Sequence, residues 1–393
     1  MGAGAYLLVS WQSGYLAHPT AGVFSSPDSH EYRQVADWIF GARGSADASA
    51  WRPFLYPVLL GLADRVGGAA ALWVLNVVMW FAALNIAAAA AYRLVRSEWA
   101  AILAFLALAI NVSLVLLTYQ ALTEITTVAL IATWICGLSH LTSRPGAAQV
   151  VWALLPLTLL VVVKPEFELL LALMIVVLVI LVWRTPVRGA AGIAIAACLL
   201  PVAIQLTVMV TFNHYFGIST IGDSTIRGYF LARLYMAVNH TTDFNAARQQ
   251  VIGLTNLEAA RLALGHAGDA IAVFSTTLKD NLLAGSNFIL PEANTHLNSV
   301  VIWTNRAYAL MLVALVPLAT AALWRARDGR LALLCLATLN IFLSGGLSFY
   351  QGDRLTVIAL PLWTIAGLLA LREALSAGGV PRQPAGPSPQ RRP

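Results

Sequence analysis

The chain has 393 residues, of which 59% are hydrophobic and only 11% are charged, and its mean hydropathy is +0.75. Soluble domains carry about 25% charged residues, so the composition excludes an ordinary soluble protein and predicts an integral membrane protein. The net charge of +6 comes from scattered arginines, and we expect no nucleic-acid partner.

Apolar segments that can cross a bilayer recur along nearly the whole chain. We therefore predict an all-α polytopic membrane protein with about ten transmembrane helices. The predicted spans are 4–17, 69–91, 98–118, 122–141, 149–163, 167–184, 190–212, 306–324, 330–348 and 355–371. The first span is short and has no basic flank, which is not typical of a signal peptide and leaves open a start further upstream. A further apolar stretch, 54–65, is typical of an interfacial or re-entrant helix.

Arginines fall in alternate short loops, which predicts the orientation in the membrane. The loops predicted to be cytoplasmic contain Arg93, Arg96, Arg144, Arg184, Arg188, Arg325, Arg327 and Arg330, and the tail adds Arg382, Arg391 and Arg392. The loops 18–68, 119–121, 164–166, 213–305 and 349–354 are then expected at the periplasmic, outer face of the cell (inner) membrane.

Four parts follow from this pattern. Residues 1–212 form an N-terminal transmembrane module that includes the first outer loop, 18–68. Residues 213–305 form a polar outer segment with helix-like stretches at 223–238, 243–264 and 268–284, and we expect it to fold back over the bundle. Residues 306–374 form the C-terminal transmembrane helices, and the Pro-rich, basic segment 375–393 is predicted to be a disordered cytoplasmic tail.

The first outer loop carries the motif SSPDSHEYRQVADWIF, residues 25–40, in which Ser26 and Pro27 are typical of a helix start. Helical spacing predicts one face made of Asp28, Glu31, Tyr32, Val35, Trp38 and Ile39. A carboxylate on this face can act as a general base on a hydroxyl at the membrane surface. The alternative is structural, because Asp-x-x-Glu is also a capping box.

Two further outer segments hold single candidates. Arg52, before a proline in ASAWRPFLYPVLLGL, can bind a phosphate in bidentate fashion, or it can be an interface anchor beside Trp51. Glu124, in YQALTEITT, lies where an apolar span begins, and for this residue alone ordinary helix-start chemistry is favoured.

The other candidates lie at two later breaks between spans. In VVVKPEFELL, Lys164 and Glu166 interrupt two apolar spans, which indicates either a phosphate-binding lysine or a Lys–Glu pair that anchors a hairpin. In SFYQGDRLTVIALP, Asp353 and Arg354 indicate either a second phosphate-binding arginine or an exposed ion pair.

The predicted topology brings these candidates together. Asp28, Glu31, Arg52, Glu124, Lys164, Glu166, Asp353 and Arg354 all fall on the outer side, whereas the middles of the spans contain no ionisable residue. This distribution predicts a polar cavity at the outer surface rather than a conduction path.

The order of the motifs PDSHEY, RPFLYPVLLGL, LTEITT, VVVKPE and YQGDR resembles that of bacterial GT-C glycosyltransferases of family 39, which are related to protein O-mannosyltransferases and lipid A aminoarabinose transferases. The resemblance runs through the whole chain in motif order and is strongest over residues 25–170. It implies a GT-C fold and a polyprenyl-phosphate sugar as donor.

Carried over to this sequence, the resemblance implies Asp28 or Glu31 as the catalytic base and Arg52 as the basic residue of a basic-Pro-Pro motif. Phe54 stands where the second proline is expected, and Asp28 and Glu31 are not adjacent. Arg52, Lys164 and Arg354 would stabilise the departing phosphate, and Tyr32, Glu124, Glu166 and Asp353 would help to bind substrate. The transfer would be inverting, onto a hydroxyl of a glycan, lipid or protein. A divalent metal, Mg or Mn, on Asp28, His30 and Glu31 is an open alternative.

Other functions compete with this hypothesis. A transporter or flippase of lipid-linked glycans predicts internal repeats and charges on both faces, which the sequence does not show. An enzyme of the O-antigen ligase or polymerase type would use the same donor class but usually lacks an acid in its first loop. A structural membrane subunit would leave the recurrent charges at the outer face unexplained.

Overall fold

The structure is a computed structural model that describes residues 2–41, 46–183, 185–186, 188–283, 295–326, 328–348 and 351–378. Arg184, Arg327 and the arginines of the tail were predicted to be cytoplasmic, and they lie outside the described residues. The predicted tail begins inside a helix, since residues 375–378 continue the last helix and 379–393 are not described.

The described residues are all-helical and contain no strand, as predicted. The α-helices are α1 Gly2–Gln12, α2 Pro27–Ile39, α3 Leu55–Val95, α4 Glu98–Ala109, α5 Val112–Leu117, α6 Glu124–His140, α7 Ala147–Val161, α8 Glu168–Trp183, α9 Arg188–Cys198, α10 Leu200–Asn213, α11 Ile221–Thr225, α12 Ala232–Asn239, α13 Phe244–Val251, α14 Asn256–Gly265, α15 Ala267–Leu283, α16 Thr295–Ala326, α17 Gly329–Leu347, α18 Arg354–Val357 and α19 Leu360–Gly378. Two 3₁₀-helices, Asp47–Ala50 and Pro165–Phe167, and a π-helix, Ile226–Leu231, complete them.

Five helical segments in the described part of the chain are long and apolar enough to cross a membrane. They are Leu55–Val95, Pro165–Trp183, Arg188–Asn213, His296–Arg325 and Gly329–Leu347. These are the features of a helical membrane protein, and they agree with five of the predicted spans. The count of about ten stays a prediction.

The remaining predicted spans are shorter or interrupted. The predicted span 98–118 breaks after Ala109, and the side chain of Asn111 caps the short helix that follows by accepting from the backbone N–H of Leu114. The first helix ends at Gln12 rather than residue 17. The apolar stretch 54–65 is helical, and a kink at Gly67 and Gly68, where Gly68 has a φ of 59°, separates it from the rest of α3.

Part of the surface of the bundle is apolar, as expected for a helix that faces lipid. On α16, Leu310, Met311, Val313 and Val316 are all more than half exposed. A contiguous apolar surface of this kind is unfavourable in water and is ordinary in a bilayer.

The interior is packed around α3, α6 and α7. Gly137 of α6 allows α7 to approach closely, because a Cβ at this position would lie 2.0 Å from the carbonyl oxygen of Trp152. Small residues at such contacts are typical of membrane helix bundles. The close contact fixes the spacing of α6 and α7 around Gly137.

Helix α6 also shows that the bundle has two distinct ends. Glu124 and His140 are its first and last residues, so they lie about 24 Å apart along its axis. Arg354 and Lys164 contact Glu124, whereas Arg93 contacts His140. We call the end that contains Glu124, Lys164 and Arg354 the charge-cluster end, and the end that contains His140 and Arg93 the arginine end.

The described residues of the polar segment after α10 are mainly helical, and α15 packs against the charge-cluster end. The stretch predicted at 243–264 is two helices, α13 and α14, with a break between Val251 and Asn256. From α15, Asn281 donates to the carbonyls of Gly345 and Ser348, each at 2.7 Å, and its own carbonyl accepts from Thr356. The segment therefore contacts α17 and α18 next to Arg354.

Candidate functional site

A chain of alternating charges lies at one end of the bundle, and helix starts and connections supply it. Asp28 and Glu31 come from the first turns of α2, Glu124 is the first residue of α6, and Lys164 precedes the 3₁₀-helix before α8. We define the charge cluster as Asp28, Glu31, Arg52, Glu124, Lys164, Glu166 and Arg354. The structure thus brings together residues that are up to 326 positions apart in the sequence.

Asp28 lies at the centre of this cluster, between two arginines. Its Oδ1 accepts from Nη2 of Arg52 at 2.6 Å, and its Oδ2 accepts from Nη2 of Arg354. Burial raises the pKa of the Asp28 carboxyl, but the charges of Arg354 and Arg52 and their hydrogen bonds outweigh this effect and lower the pKa below its usual value. Asp28 is therefore ionised while both arginines hold it.

Arg52 is held from three directions. Besides Asp28, it donates from Nε to Glu31 at 2.8 Å and from Nη1 to the hydroxyl of Tyr32 at 3.3 Å. The Tyr32 ring is buried, and the guanidinium carbon lies 4.8 Å from its centre. Trp51, beside Arg52, donates its indole N–H to Glu31 at 3.1 Å. These contacts fix the direction of the guanidinium group.

Glu124 joins the arginine side of the cluster to the lysine side. Only 1% of it is exposed, and its Oε1 lies 3.5 Å from Nε of Arg354 and 3.7 Å from Nζ of Lys164. Its Oε2 is buried and has no hydrogen-bond partner among the described residues. A helix-start acid with only a capping role would be solvated, so the structure disfavours the simple capping interpretation of Glu124.

Lys164 and Glu166 extend the cluster toward α17. Nζ of Lys164 lies 4.0 Å from Oε1 of Glu166, and both of its carboxylate distances exceed that of a hydrogen bond. Glu166 is oriented by Ser344, which donates to its Oε2 at 2.6 Å, and by Asn340, which donates to its backbone carbonyl at 2.8 Å. Lys164 is thus a cation near two acids without tight pairing to either.

Asp353 is placed differently from the other candidates. It is 2% exposed, and its Oδ2 accepts from the hydroxyl of Ser113 and from the amide of Asn305 at 3.0 Å. The structure therefore contradicts the interpretation of Asp353 and Arg354 as an exposed ion pair. Asp353 fastens the start of α18 to α5 and α16, and Arg354 projects from that start.

The predicted face of α2 is rotated in the structure. The buried residues of the helix are Ser29, Tyr32, Val35 and Ala36, while Trp38 and Ile39 are half-buried. Asp28 and Glu31 lie at the edge of this buried stripe, where their side chains reach Arg52. Ser26 is at the N-cap position and Pro27 follows, as predicted, but no side chain caps the helix, so the capping-box alternative is wrong.

Several residues that orient the cluster and its surroundings were not among the predicted site residues. They are Trp51, Ser113, Asn305, Asn340 and Ser344. All five are polar or aromatic residues beside a helix end or in an apolar helix. A polar residue in an apolar helix is the signal that could have marked Ser344 and Asn305.

The residues considered for a divalent metal lie at the start of α2. Asp28 and Glu31 both contact Arg52, and His30 is exposed. Within the described ranges there is no group of three or more His, Cys, Asp and Glu side chains that could hold a metal ion. The divalent metal stays a prediction.

The energetic cost of the cluster points to function rather than stability. Removing a charged group from water costs several kcal/mol, and a buried ion pair is often no more stabilising than a well-packed apolar pair. Arg52, Arg354 and Lys164 have side chains that are only 11%, 11% and 12% exposed. Nearly buried charges at one end of a bundle of apolar helices are candidates for a binding or catalytic site.

No family model, curated protein or solved structure matches the chain.

Proposed function

We propose that the chain is a membrane glycosyltransferase that transfers a sugar from a polyprenyl-phosphate donor to an acceptor hydroxyl at the outer face of the membrane. The observation that carries the proposal is the pair of nearly buried arginines, Arg52 and Arg354, that meet at one carboxylate at the end of an apolar bundle. Guanidinium groups suit the oxygens of a phosphate, and the helices around them provide an apolar environment for a lipid chain.

The chemistry needs a base and cations within reach of each other, and the cluster contains both. Nucleotide sugars are cytoplasmic, so a site at the outer face needs a donor whose sugar reaches it through the membrane. A polyprenyl-phosphate sugar meets this need with its lipid chain between helices and its phosphate at the surface. Asp28 or Glu31 would take the proton of the acceptor hydroxyl.

Each cation then has a defined task. Arg52 and Arg354 would neutralise the charge that develops on the phosphate as it leaves, and fixed donors are effective because they need no reorganisation during the reaction. Lys164 would add a third positive charge from the side of Glu124. Displacement in a single step would invert the configuration of the sugar carbon.

The test is sugar transfer by the purified full chain in detergent, supplied with a panel of polyprenyl-phosphate sugars. Wild type is compared with Asp28→Asn, Glu31→Gln and the control Asp64→Asn. Asp64 is not part of the charge cluster, and its carboxylate pairs with Arg33 at 3.3 Å. We expect polyprenyl phosphate to be released with at least one donor, and release to be lost in Asp28→Asn or Glu31→Gln but kept in Asp64→Asn.

The opposite result is equally clear. If no donor is turned over while a labelled lipid-linked glycan crosses the bilayer of proteoliposomes, the protein is a flippase and the transferase proposal fails.

A further inference from the structure

The two oxygens of Asp28 are shared between two different arginines. Oδ1 contacts Arg52 and Oδ2 contacts Arg354, and the two guanidinium groups come from the first loop and from the start of α18. An anion that bridges two guanidinium groups in this way occupies the position in which two oxygens of a phosphate would lie.

The charge balance of the cluster disfavours the binding of another anion while Asp28 contacts both arginines. It holds four carboxylates and three cations, and each cation lies within ion-pair distance of at least one carboxylate. Adding a phosphate would place a further negative charge among like charges in a weakly screened site, which is unfavourable. One carboxylate therefore has to move or take up a proton when a phosphate binds.

Asp28 is the carboxylate best able to move. Glu124 is 1% exposed and cannot leave the interior, and Glu166 is held by Ser344. Glu31 contacts Arg52 but not Arg354, so its departure would free only one guanidinium. Asp28 is on the first turn of α2, its side chain is 22% exposed, and a rotation about its side-chain bonds would release both arginines together.

We propose that Asp28, between Arg52 and Arg354, occupies the position that the donor phosphate takes when it binds. The phosphate displaces Asp28 by exchange and so releases it to act as the base. The inference rests on the proposed function and assigns the base that the sequence left open between Asp28 and Glu31. Binding of the phosphate thus prepares the carboxylate, because a carboxylate without its two arginines holds a proton more tightly.

The exchange gives a balanced transfer step. The proton of the acceptor hydroxyl passes to the Asp28 carboxylate, and the acceptor oxygen forms a bond to the anomeric carbon. The bond between that carbon and the phosphate oxygen breaks, and its electron pair stays on the phosphate. The added negative charge of the phosphate is matched by the proton on Asp28, so the total charge of the site does not change.

The experiment measures binding rather than turnover, so that it stands apart from the test of the transferase. The probe is dodecyl methyl phosphate, a phosphodiester that lacks the second ionisation of a phosphate monoester at about pH 6. Its affinity for the full chain in detergent is measured by calorimetry for wild type, Asp28→Asn, Glu31→Gln and the control Asp64→Asn.

Asp28→Asn removes the competing charge and should bind the probe about tenfold more tightly than wild type, a difference of about 1.4 kcal/mol. Glu31→Gln should gain less, because it frees one arginine only, and Asp64→Asn should not change. If Asp28→Asn binds the probe with unchanged or weaker affinity, Asp28 only orients the arginines and does not occupy the phosphate position. The inference is then wrong.

A measurement on the wild type covers the case in which Asp28→Asn does not fold. The charged and titratable groups around Asp28 are Arg52, Arg354, Tyr32, Glu31 and Glu124. Since displaced Asp28 binds a proton more readily than paired Asp28, the affinity for the probe should rise as the pH falls toward about 4. The rise should persist in Glu31→Gln, and an affinity that is flat over this range in both proteins would overturn the exchange.

The two failures are distinguishable. Turnover without any gain or pH dependence in probe binding would remove the exchange and keep the transferase. Probe binding with the expected pattern, but no turnover of any donor, would remove the transferase.

Discussion

The two ends of the bundle use their charges in different ways. At the charge-cluster end, four carboxylates and three cations lie close together and contact each other. At the arginine end, Arg330 donates to the backbone carbonyl of Leu141 and Arg372 to that of Leu94, each at 2.7 Å, while Arg93 contacts the His140 ring.

The arginine end shows what charges do when they only finish a helix. Leu94 lies in the last turn of α3, and Leu141 follows the last residue of α6, so the arginines satisfy carbonyls that have no partner within a helix. They also complement the negative end of the helix dipole. The difference teaches that charge at a helix end is not itself a sign of function, whereas a network of buried opposite charges is a candidate for a functional site.

The largest contrast is expected when one arginine is removed from each end. Arg354→Met leaves Asp28 with Arg52 alone and Glu124 with Lys164 alone. Removing one partner from a buried ion pair costs about 3–5 kcal/mol. Arg372→Met removes one hydrogen bond and a 3.7 Å ion pair with Glu373 from a side chain that is 37% exposed, and it should cost about 1 kcal/mol or less.

Thermal unfolding in detergent, followed by tryptophan fluorescence, measures both variants. Equal changes in the midpoint would show that the two ends are energetically alike and would break the comparison.

The second contrast concerns activity. Lys164→Gln should lower kcat/KM for the polyprenyl-phosphate donor by about 10- to 100-fold, because it removes a fixed positive charge from the site. Arg330→Gln, at the arginine end, should leave kcat/KM nearly unchanged. The initial rate of polyprenyl phosphate release gives both values, and a matching loss in the two variants would show that the effect is structural.

The third contrast is the dependence of stability on pH. Because the pKa of Asp28 is lowered in the folded protein, its contribution to stability is present above the unfolded pKa, about 3.9, and is lost as the pH falls through the lower folded pKa. Wild type should therefore lose more stability than Asp28→Asn when the pH is lowered below about 4. Unfolding midpoints as a function of pH test this, and parallel curves would show that Asp28 is not stabilised by its arginines.

The smallest effect is expected for Arg93→Gln. This arginine is exposed, and its favourable interaction with the end of α3 is worth about 0.3–1 kcal/mol. The effect should shrink further in high salt, which the same unfolding measurement at two salt concentrations would detect. A loss as large as that of Arg354→Met would contradict the assignment of the two ends.

The sequence predicted which residues gather but not how they pair. Apolar segments and alternate-loop arginines were enough to place Asp28, Glu124, Lys164 and Arg354 at one end, because helix ends on one side of a bundle must be neighbours. Which acid meets which cation depends on side-chain contacts between segments far apart in the chain, and spacing carries no record of these. For the same reason the sequence did not predict that Asp353 accepts hydrogen bonds from Ser113 and Asn305.

Local breaks in the helices were also beyond the sequence patterns. The end of α4 before Asn111 lies inside an apolar run that reads as one continuous span. The buried stripe of α2 likewise passes through Ser29 and Ala36 rather than through Trp38 and Ile39.

The most direct test of the central claim makes the same change, Glu to Gln, once at each end of the bundle. Glu124 is the first residue of α6 and buried at the charge-cluster end, and Glu98 is the first residue of α4 and exposed at the arginine end. Release of polyprenyl phosphate should be nearly abolished in Glu124→Gln and unchanged in Glu98→Gln, with both proteins folded. Full activity in Glu124→Gln would contradict the assignment of the charge cluster as the functional site.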